Sequence, residues 1–328
     1  MPEQIFDNIF DAFRYIAPSS PLLKLEHDLS RFFRRTNQYE LIDMGGYIGA
    51  FPGFAIQFFR GESKAYDTCK PSIYRSSDPD DVIVDKLRII EFKNILLTFP
   101  QVQFALADHA NVDFLALAQH YELNTNLIDI TSAPEIAAYF ATRKWVNGVP
   151  VPVGEGIGCI RGFMPPYLPP EEQTRDRLYS DKFHMIGLQC FQRPGIQAAY
   201  GYELDEGEDF DGTGWKIYFK QNIDASSRIH ANFHWDGEKI CKNSWLFPEE
   251  EIADVAKLIK NSNSISEKSV LDYGTDVTAL LERKNIKVRH EPLYELSESR
   301  IKELTEEYKD RPYGDVQLTS RLVYIPEG

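Results

Sequence analysis

The sequence predicts an α+β fold with a mixed or split β-sheet core flanked by helices, on three observations. A helical period in Val112, Leu115, Ala116 and Ala118 is followed by a short apolar strand at Leu127-Ile128. A second helical period follows in Ile136, Ala137, Phe140 and Ala141. Further strand-like runs stand at 51–62, within 188–203 and at 215–219, with helical patterns at 82–99 and 249–260 around them.

The helix–loop–strand–helix unit is the densest in polar groups, from Gln119 to Thr131. Ser132 followed by Glu135 matches a capping box, and Pro134 suits a first helical turn. Asp129 and Thr131 therefore fall at a strand end beside a helix N-terminus, a place that favours anions. The plainer reading is that both only cap the helix.

In the run 51–62, Phe54, Ile56 and Phe58 alternate with Ala55, Gln57 and Phe59, as in a strand buried on both faces. It ends in Arg60-Gly61-Glu62. An arginine there is costly to bury unless it meets an anion or a carboxylate, and both outcomes stand open. Gly61 allows a turn or the close approach of a ligand. Arg75, after Pro71-Ser72, is a second cation that could neutralise a phosphate or remain solvated.

The remaining elements follow in order. Ile5, Ile9, Phe13 and Ile16 predict a helix over 3–16, and Pro21 opens another through residue 35, giving a helical N-terminal element over 1–50. The main unit spans 51–260. Its glycine-rich run from Gly154 to Gly158 leads into Cys159-Ile160-Arg161 and not into a helix, so it reads as a turn and not a dinucleotide fingerprint. Residues 226–233 predict a helix. From Asn261 the composition shifts to Ser, Asn, Lys and Glu, which marks a linker. Helices over 267–284 and 297–309 and a strand-like piece at 316–325 then form a C-terminal appendage over 261–328.

Composition excludes several classes. With 328 residues, 43% hydrophobic and 26% charged, the chain is an ordinary globular protein. A formal net charge of -14 lacks the basic footprint of a nucleic-acid binder. Four scattered cysteines without a CxxC fit reduced thiols in a cytoplasm. No signal peptide is visible and the run 51–59 is too short to span a bilayer, so a cytoplasmic protein without a membrane partner is expected. His230 and His234, four apart, could share a metal with His184 or Cys241. No acidic residue lies between them as in zinc proteases, so no metal site is assigned. No Gly-x-Ser-x-Gly supports a serine hydrolase.

Several of these residues occur together in one known pattern. Phe59-Arg60-Gly61, Pro71-Ser72 with Arg75, and Gln119-His120-Tyr121 come first. Thr125, Leu127, Asp129, Thr131, Pro134, Ala138 and Phe140-Ala141 follow, then Arg193, Gln197 and Leu246-Phe247-Pro248. The set resembles the FRG domain, a bacterial family named for its Phe-Arg-Gly stretch, over residues 54–256. Asn124 stands where the family usually has proline, Asn126 where it has arginine, Ile130 for a tryptophan and Ala199 for a glycine. The missing arginine implies one positive charge less in the pocket.

A weaker resemblance is to ADP-ribosyltransferases of the arginine–serine–glutamate type. Phe59-Arg60-Gly61 is similar to their first element, and Asp129-Ile130-Thr131-Ser132 before an alanine-rich helix to their second. Gln197, or Glu203 after a shift, falls near their glutamate. This resemblance implies an ADP-ribosyltransferase-like fold and NAD as substrate, with no certain cofactor. Arg60 would pair with the diphosphate, supported by Gly61, Ser72, Arg75, Gln119, Thr125 and Arg193 in the pocket. Thr131 and Ser132 would hold the nicotinamide ribose, Gln197 the ribose, and Tyr121 would stack on the nicotinamide. His120, Asp129 and Glu203 would carry the chemistry. The expected function is an NAD-directed ADP-ribosyltransferase, with a protein target, or an NAD hydrolase. The alternative is a non-catalytic nucleotide or phosphate sensor using the same pocket.

Overall fold

The strand-forming runs gather into one mixed sheet of seven strands, with helices packed on it. A computed structural model describes residues 5–18, 20, 23, 39–43, 48–52, 57–146, 149–165, 181–184, 186–187, 189–210, 214–234 and 244–309, with backbone only for 39–43 and 48–52. The chain forms β1 (Ile5–Phe6), α1 (Ile9–Ile16) and a hairpin of β2 (Tyr39–Asp43) and β3 (Ile48–Pro52). Next come β4 (Phe58–Glu62), α2 (Pro79–Leu96), α3 (Pro100–Ala107) and α4 (Phe114–His120). Strand β5 (Leu127–Thr131) and α5 (Pro134–Ala141) precede a hairpin of β6 (Arg143–Val146) and β7 (Val149–Pro152), then β8 (Ile157–Phe163). The core is completed by β9 (Phe183–His184), α6 (Gln192–Ile196), β10 (Ala199–Glu203), β11 (Gly214–Lys220), α7 (Ile223–His234) and α8 (Glu251–Asn261). Last are β12 (Ser264–Ser266), α9 (Glu267–Tyr273), α10 (Thr278–Arg283), β13 (Lys287–Arg289) and α11 (Glu298–Tyr308).

The sheet order is β1-β11-β8-β4-β5-β10-β9. Strand β1 runs parallel to β11, and every other neighbouring pair is antiparallel. Alternation gives each face its own core. On one face Phe59, Ile160, Ile217 and Phe219 meet Ile136 and Ala137 of α5, Phe233 of α7 and Phe13 of α1. On the other, Phe58, Ile128, Ile130, Phe163, Tyr200 and Tyr202 form an aromatic-rich cluster with Phe183 and Phe210.

Two residues of β4 shape the centre of the sheet. At Gly61, a Cβ would lie 1.8 Å from the Ala137 carbonyl oxygen and 2.7 Å from the Ala141 nitrogen, so α5 can cross β4 only over a glycine. Glu62 is buried between two arginines. Arg161 Nε donates to it at 2.8 Å and Arg60 Nε at 3.2 Å. Burial raises the Glu62 pKa, yet the two guanidinium charges hold it below the usual carboxylate range.

The sheet is split beside this ion triad. Strand β4 pairs with β8 over five positions and β5 with β10 over five, but β4 and β5 share only the pair Phe59–Thr131. Where their ladder ends, Arg60 Nη1 donates to the Asp129 carbonyl at 3.0 Å.

Several sequence expectations change. The run 51–62 contributes to two separate strands, β3 in its own hairpin and β4 in the main sheet; residues 53–56 lie outside the described residues. The region 1–50 holds three strands as well as α1, while its expected second helix lies outside the described residues apart from Leu23. Arg193 sits on a short helix, not a strand, because Gln197 N–H and Ala198 N–H bond back to the carbonyls of Arg193 and Gly195. The expected linker after Asn261 enters β12, which pairs with β13. The helix 267–284 is two helices, since Gly274 at φ +76° ends the first in the left-handed cap conformation. The piece at 316–325 lies outside the described residues.

Helix α2 joins this last segment to the sheet domain. Val84 and Leu87 pack with Ile265, Val277, Leu280 and Leu281, while Phe92 and Leu96 pack with Leu117, Val255 and Leu304. The acidic residues before and at the start of α2 meet basic partners: Asp78 and Asp81 bind Lys284, and Asp80 binds Arg283.

At the opposite sheet edge His184 bridges two carboxylates, Asp113 Oδ2 at 3.0 Å from Nδ1 and Glu203 Oε2 at 3.1 Å from Nε2. Both ring nitrogens must donate, which favours imidazolium. Burial opposes that charge, and the two acids outweigh burial, so the His184 pKa lies above 6.5.

Three outcomes follow from these contacts. Gly61→Ala is expected to lose about 3 kcal/mol or more in a denaturant titration, because the helix backbone cannot yield to a methyl group. Glu62→Gln leaves the buried Arg161 and the half-buried Arg60 without their anion and is expected to cost about 3–5 kcal/mol in the same measurement. The His184 contribution has a raised folded pKa, so it is complete below pH 6.5 and fades as pH rises through the folded value. Denaturant midpoints above pH 6.5 should therefore fall in the wild type, and His184→Gln should remove that component.

Candidate functional site

The split between β4 and β5 opens a cleft of about 400 Å3. Strand β4 supplies Phe59, Arg60 and Gly61; β5 supplies Asp129, Ile130 and Thr131; and the end of α4 supplies Gln119 and His120. Arg193 and Gln197 come from α6 and the turn after it, Ser72 and Arg75 from the Ser72–Tyr74 turn, and Lys260 from α8. Ile136, Ala137 and Phe140 of α5 form an apolar wall, extended by Trp145 of β6 and Phe247.

The polar groups behind the cleft form a relay. Thr125 Oγ1 accepts from Leu127 N–H at 3.1 Å and donates to Gln119 Oε1. Gln119 Nε2 then donates to Asp129 Oδ2 at 2.9 Å. Ser72 Oγ accepts from Thr125 N–H at 3.0 Å and so ties the turn after Pro71 to this relay. The chain of bonds fixes one oxygen of Asp129; Oδ1 has no hydrogen-bond partner among the described residues.

A second set of bonds places His120. Gln197 Nε2 donates to the Leu246 carbonyl at 2.9 Å, which turns Gln197 Oε1 to His120 Nδ1 at 3.2 Å. His120 is 7% exposed, and its Nε2 is unpartnered among the described residues. Burial, only partly opposed by Asp129, holds its pKa below 6.5, so the ring is neutral. Arg193 supports the same segment. Its Nη1 donates to the His120 carbonyl at 2.7 Å, and its guanidinium lies 4.4 Å from the Tyr121 ring centre and 5.4 Å from that of Phe247.

Arg60 is both salt-bridged and turned to the cleft. Nε serves Glu62 and Nη1 the Asp129 carbonyl, and Nη2 makes no hydrogen bond among the described residues. The two readings of Arg60 left open by the sequence are therefore compatible: the ion pair aims the guanidinium.

Ten residues named from the sequence line this cleft: Arg60, Gly61, Ser72, Arg75, Gln119, His120, Asp129, Thr131, Arg193 and Gln197. Four do not. Tyr121 is buried behind Arg193, with its hydroxyl on Glu250, and so has no face for a ring to stack on. Thr125 is fully buried in the relay. Ser132 donates its backbone N–H to the Ala198 carbonyl outside the cleft, and it does not cap α5. The cap position is Ala133, whose N–H bonds to Thr131 Oγ1, while Glu135 is buried against Ser20 Oγ. Glu203 is not part of the lining; it is bound to His184 and to Asn126 Nδ2 at 2.7 Å. Asn126, in the position of the family's arginine, lies outside the cleft lining. Asn124 does line the cleft and reaches Asp85 at 3.0 Å.

Trp145 and Lys260 line the cleft without having been singled out in the sequence. Trp145 stands on the strand that follows α5 and Lys260 on α8, remote in the chain, and no local spacing marks either one. The His230 and His234 rings stack with centres 3.8 Å apart, and no group of His, Cys, Asp and Glu among the described residues could hold a metal ion. Cys69, Cys159 and Cys190 are buried and form no disulfide among the described residues; Cys241 lies outside the described residues. No helix among the described residues is long and apolar enough to cross a membrane.

Comparison with known proteins agrees with this geometry in one respect. No curated protein and no solved structure matches the chain. The family model of the FRG domain matches residues 56–147, which hold β4, the relay, His120, β5 and α5. Over residues 56–147 the chain carries an FRG domain.

Proposed function

We propose that the cleft binds a nucleotide of the NAD class and that the chain is an NAD-directed enzyme, an ADP-ribosyltransferase or NAD hydrolase. One observation carries this reading. A cation with an open donor, two acceptors without partners and an apolar wall with aromatic rings share one cleft of about 400 Å3, a size common for ligand sites. A nucleotide supplies the complement to each: a phosphate, ribose hydroxyls and a planar ring.

In this reading Arg60 Nη2 meets the diphosphate, with Arg75 and Lys260 adding positive charge at the cleft. Trp145, Phe140 and Phe247 take the ring in place of Tyr121. The relay aims Asp129 Oδ1 at the anomeric carbon, where a carboxylate stabilises the positive charge that develops as the glycosidic bond opens. Asp129 replaces Glu203 in that role, because Glu203 is engaged with His184 on the other side of β10.

The position of Glu203 also favours a second reading, a nucleotide sensor without turnover. In that case Asp129 and His120 only accept hydrogen bonds from the ribose.

The test is nicotinamide release and protein mass shift on incubating the chain with NAD, beside Asp129→Asn. Retained NAD binding with release lowered about 100-fold or more in the variant is the expected result. Binding without release in the wild type would select the sensor. Absence of both would remove NAD as the ligand.

A further inference from the structure

The resemblance to ADP-ribosyltransferases gives the position of Gln197 a ligand-holding role, but both ends of its amide are already engaged. Nε2 is held by the Leu246 carbonyl at 2.9 Å and Oε1 faces His120 Nδ1 at 3.2 Å. A backbone carbonyl only accepts, so the amide cannot turn over without losing the Leu246 bond. With Oε1 facing the ring, Nδ1 must carry the proton. Nε2 then holds a bare lone pair, on a ring that lines the cleft; the atom itself is buried and finds no other partner among the described residues.

We propose that Gln197 is a positioning residue, which locks His120 as the Nδ1-protonated neutral tautomer and makes Nε2 the proton acceptor of the cleft. The assignment of a proton-transfer step rests on the NAD reading above; the tautomer does not. In NAD hydrolysis a water gives a proton to Nε2 while its oxygen bonds to the anomeric carbon. The bond to the nicotinamide nitrogen breaks, and its electron pair neutralises the pyridinium. The imidazolium then returns the proton to solvent. Gln197 Oε1 keeps its bond to Nδ1–H throughout, so the ring does not turn between steps.

The charges that face His120 are Asp129 on β5, Arg193 on α6 and Asp113 at the start of α4, with Arg60 across the cleft. Burial and Arg193 favour the neutral ring, and the two acids oppose them. Replacing the Gln197 amide by a carboxylate adds a third acid at hydrogen-bond distance and moves the balance toward imidazolium.

The experiment is a pH series of long-range 1H–15N imidazole spectra on the full chain labelled at histidine, with His120 assigned by the signals lost in His120→Gln. The expected wild-type spectrum shows a protonated Nδ1 and a bare Nε2 at neutral pH. Gln197→Glu is expected to raise the His120 midpoint by about one pH unit or more. The pH profile of nicotinamide release should move in the same direction. A proton on Nε2 in the wild type, or a midpoint unmoved by Gln197→Glu, overturns the assignment. The wild-type spectrum decides the tautomer even if the variant does not fold. A chain with the expected tautomer and midpoint shift but no nicotinamide release argues against the NAD reading alone.

Discussion

The buried contact of Glu62 with Arg60 and Arg161 is the constraint on which the centre of this molecule depends. Arg60 and Arg161 stand opposite each other in the β4–β8 ladder, and Glu62 neutralises one of the two charges. A buried triad of this kind contributes little net stability but is costly to break. It places a guanidinium at the edge where β4 and β5 part, and the surplus positive charge is directed into the opening. Arg60 there replaces backbone pairing with a side-chain bond to the Asp129 carbonyl. The cleft is thus a gap in the sheet itself, not a groove laid on its surface.

Around that gap the motif residues divide by task. Gly61 removes a side chain so that α5 can lie against β4, which brings Ile136, Ala137 and Phe140 to the cleft wall. Ser72, Thr125 and Gln119 form a relay whose only outlet is one oxygen of Asp129. Thr131 accepts from Ala133 N–H and donates to the Gln197 carbonyl, linking the start of α5 to the turn that carries Gln197. Arg193 holds the end of α4 through the His120 carbonyl. Most of these residues therefore act on neighbours, and three residues that line the cleft, Arg60, His120 and Asp129, keep hydrogen-bonding capacity that no described residue uses. Preorganisation of this sort places the ordering cost in folding and not in ligand binding.

The same economy explains why charge alone is a poor guide to the site. The chain carries a formal net charge of -14, yet Arg60, Arg75, Arg193 and Lys260 all line one cleft. Other basic groups are paired with acids elsewhere, as in the Asp78, Asp80 and Asp81 contacts with Arg283 and Lys284 and the Glu203 contact with His184. Contacts of this kind are short-ranged and leave no trace in the net charge.

The sequence by itself determined the α+β class, the helix–strand–helix unit from α4 to α5, strand β11, and ten of the cleft-lining residues. It could do so because periodicity and a dense polar motif are local signals. Tertiary structure decided which polar residues face the cleft and which serve them. Ser132 and Glu135 fit a capping box by spacing, but Thr131 Oγ1 takes the Ala133 N–H instead, and Glu135 is buried against Ser20, which lies far away in the chain. Glu203 and Asp129 are both acids on adjacent strands, and only the position of His184 beyond β10 separates their roles. Trp145 and Lys260 carry no local mark at all. Their place is set by how the β6–β7 hairpin and α8 pack beside the split, which no short-range pattern encodes.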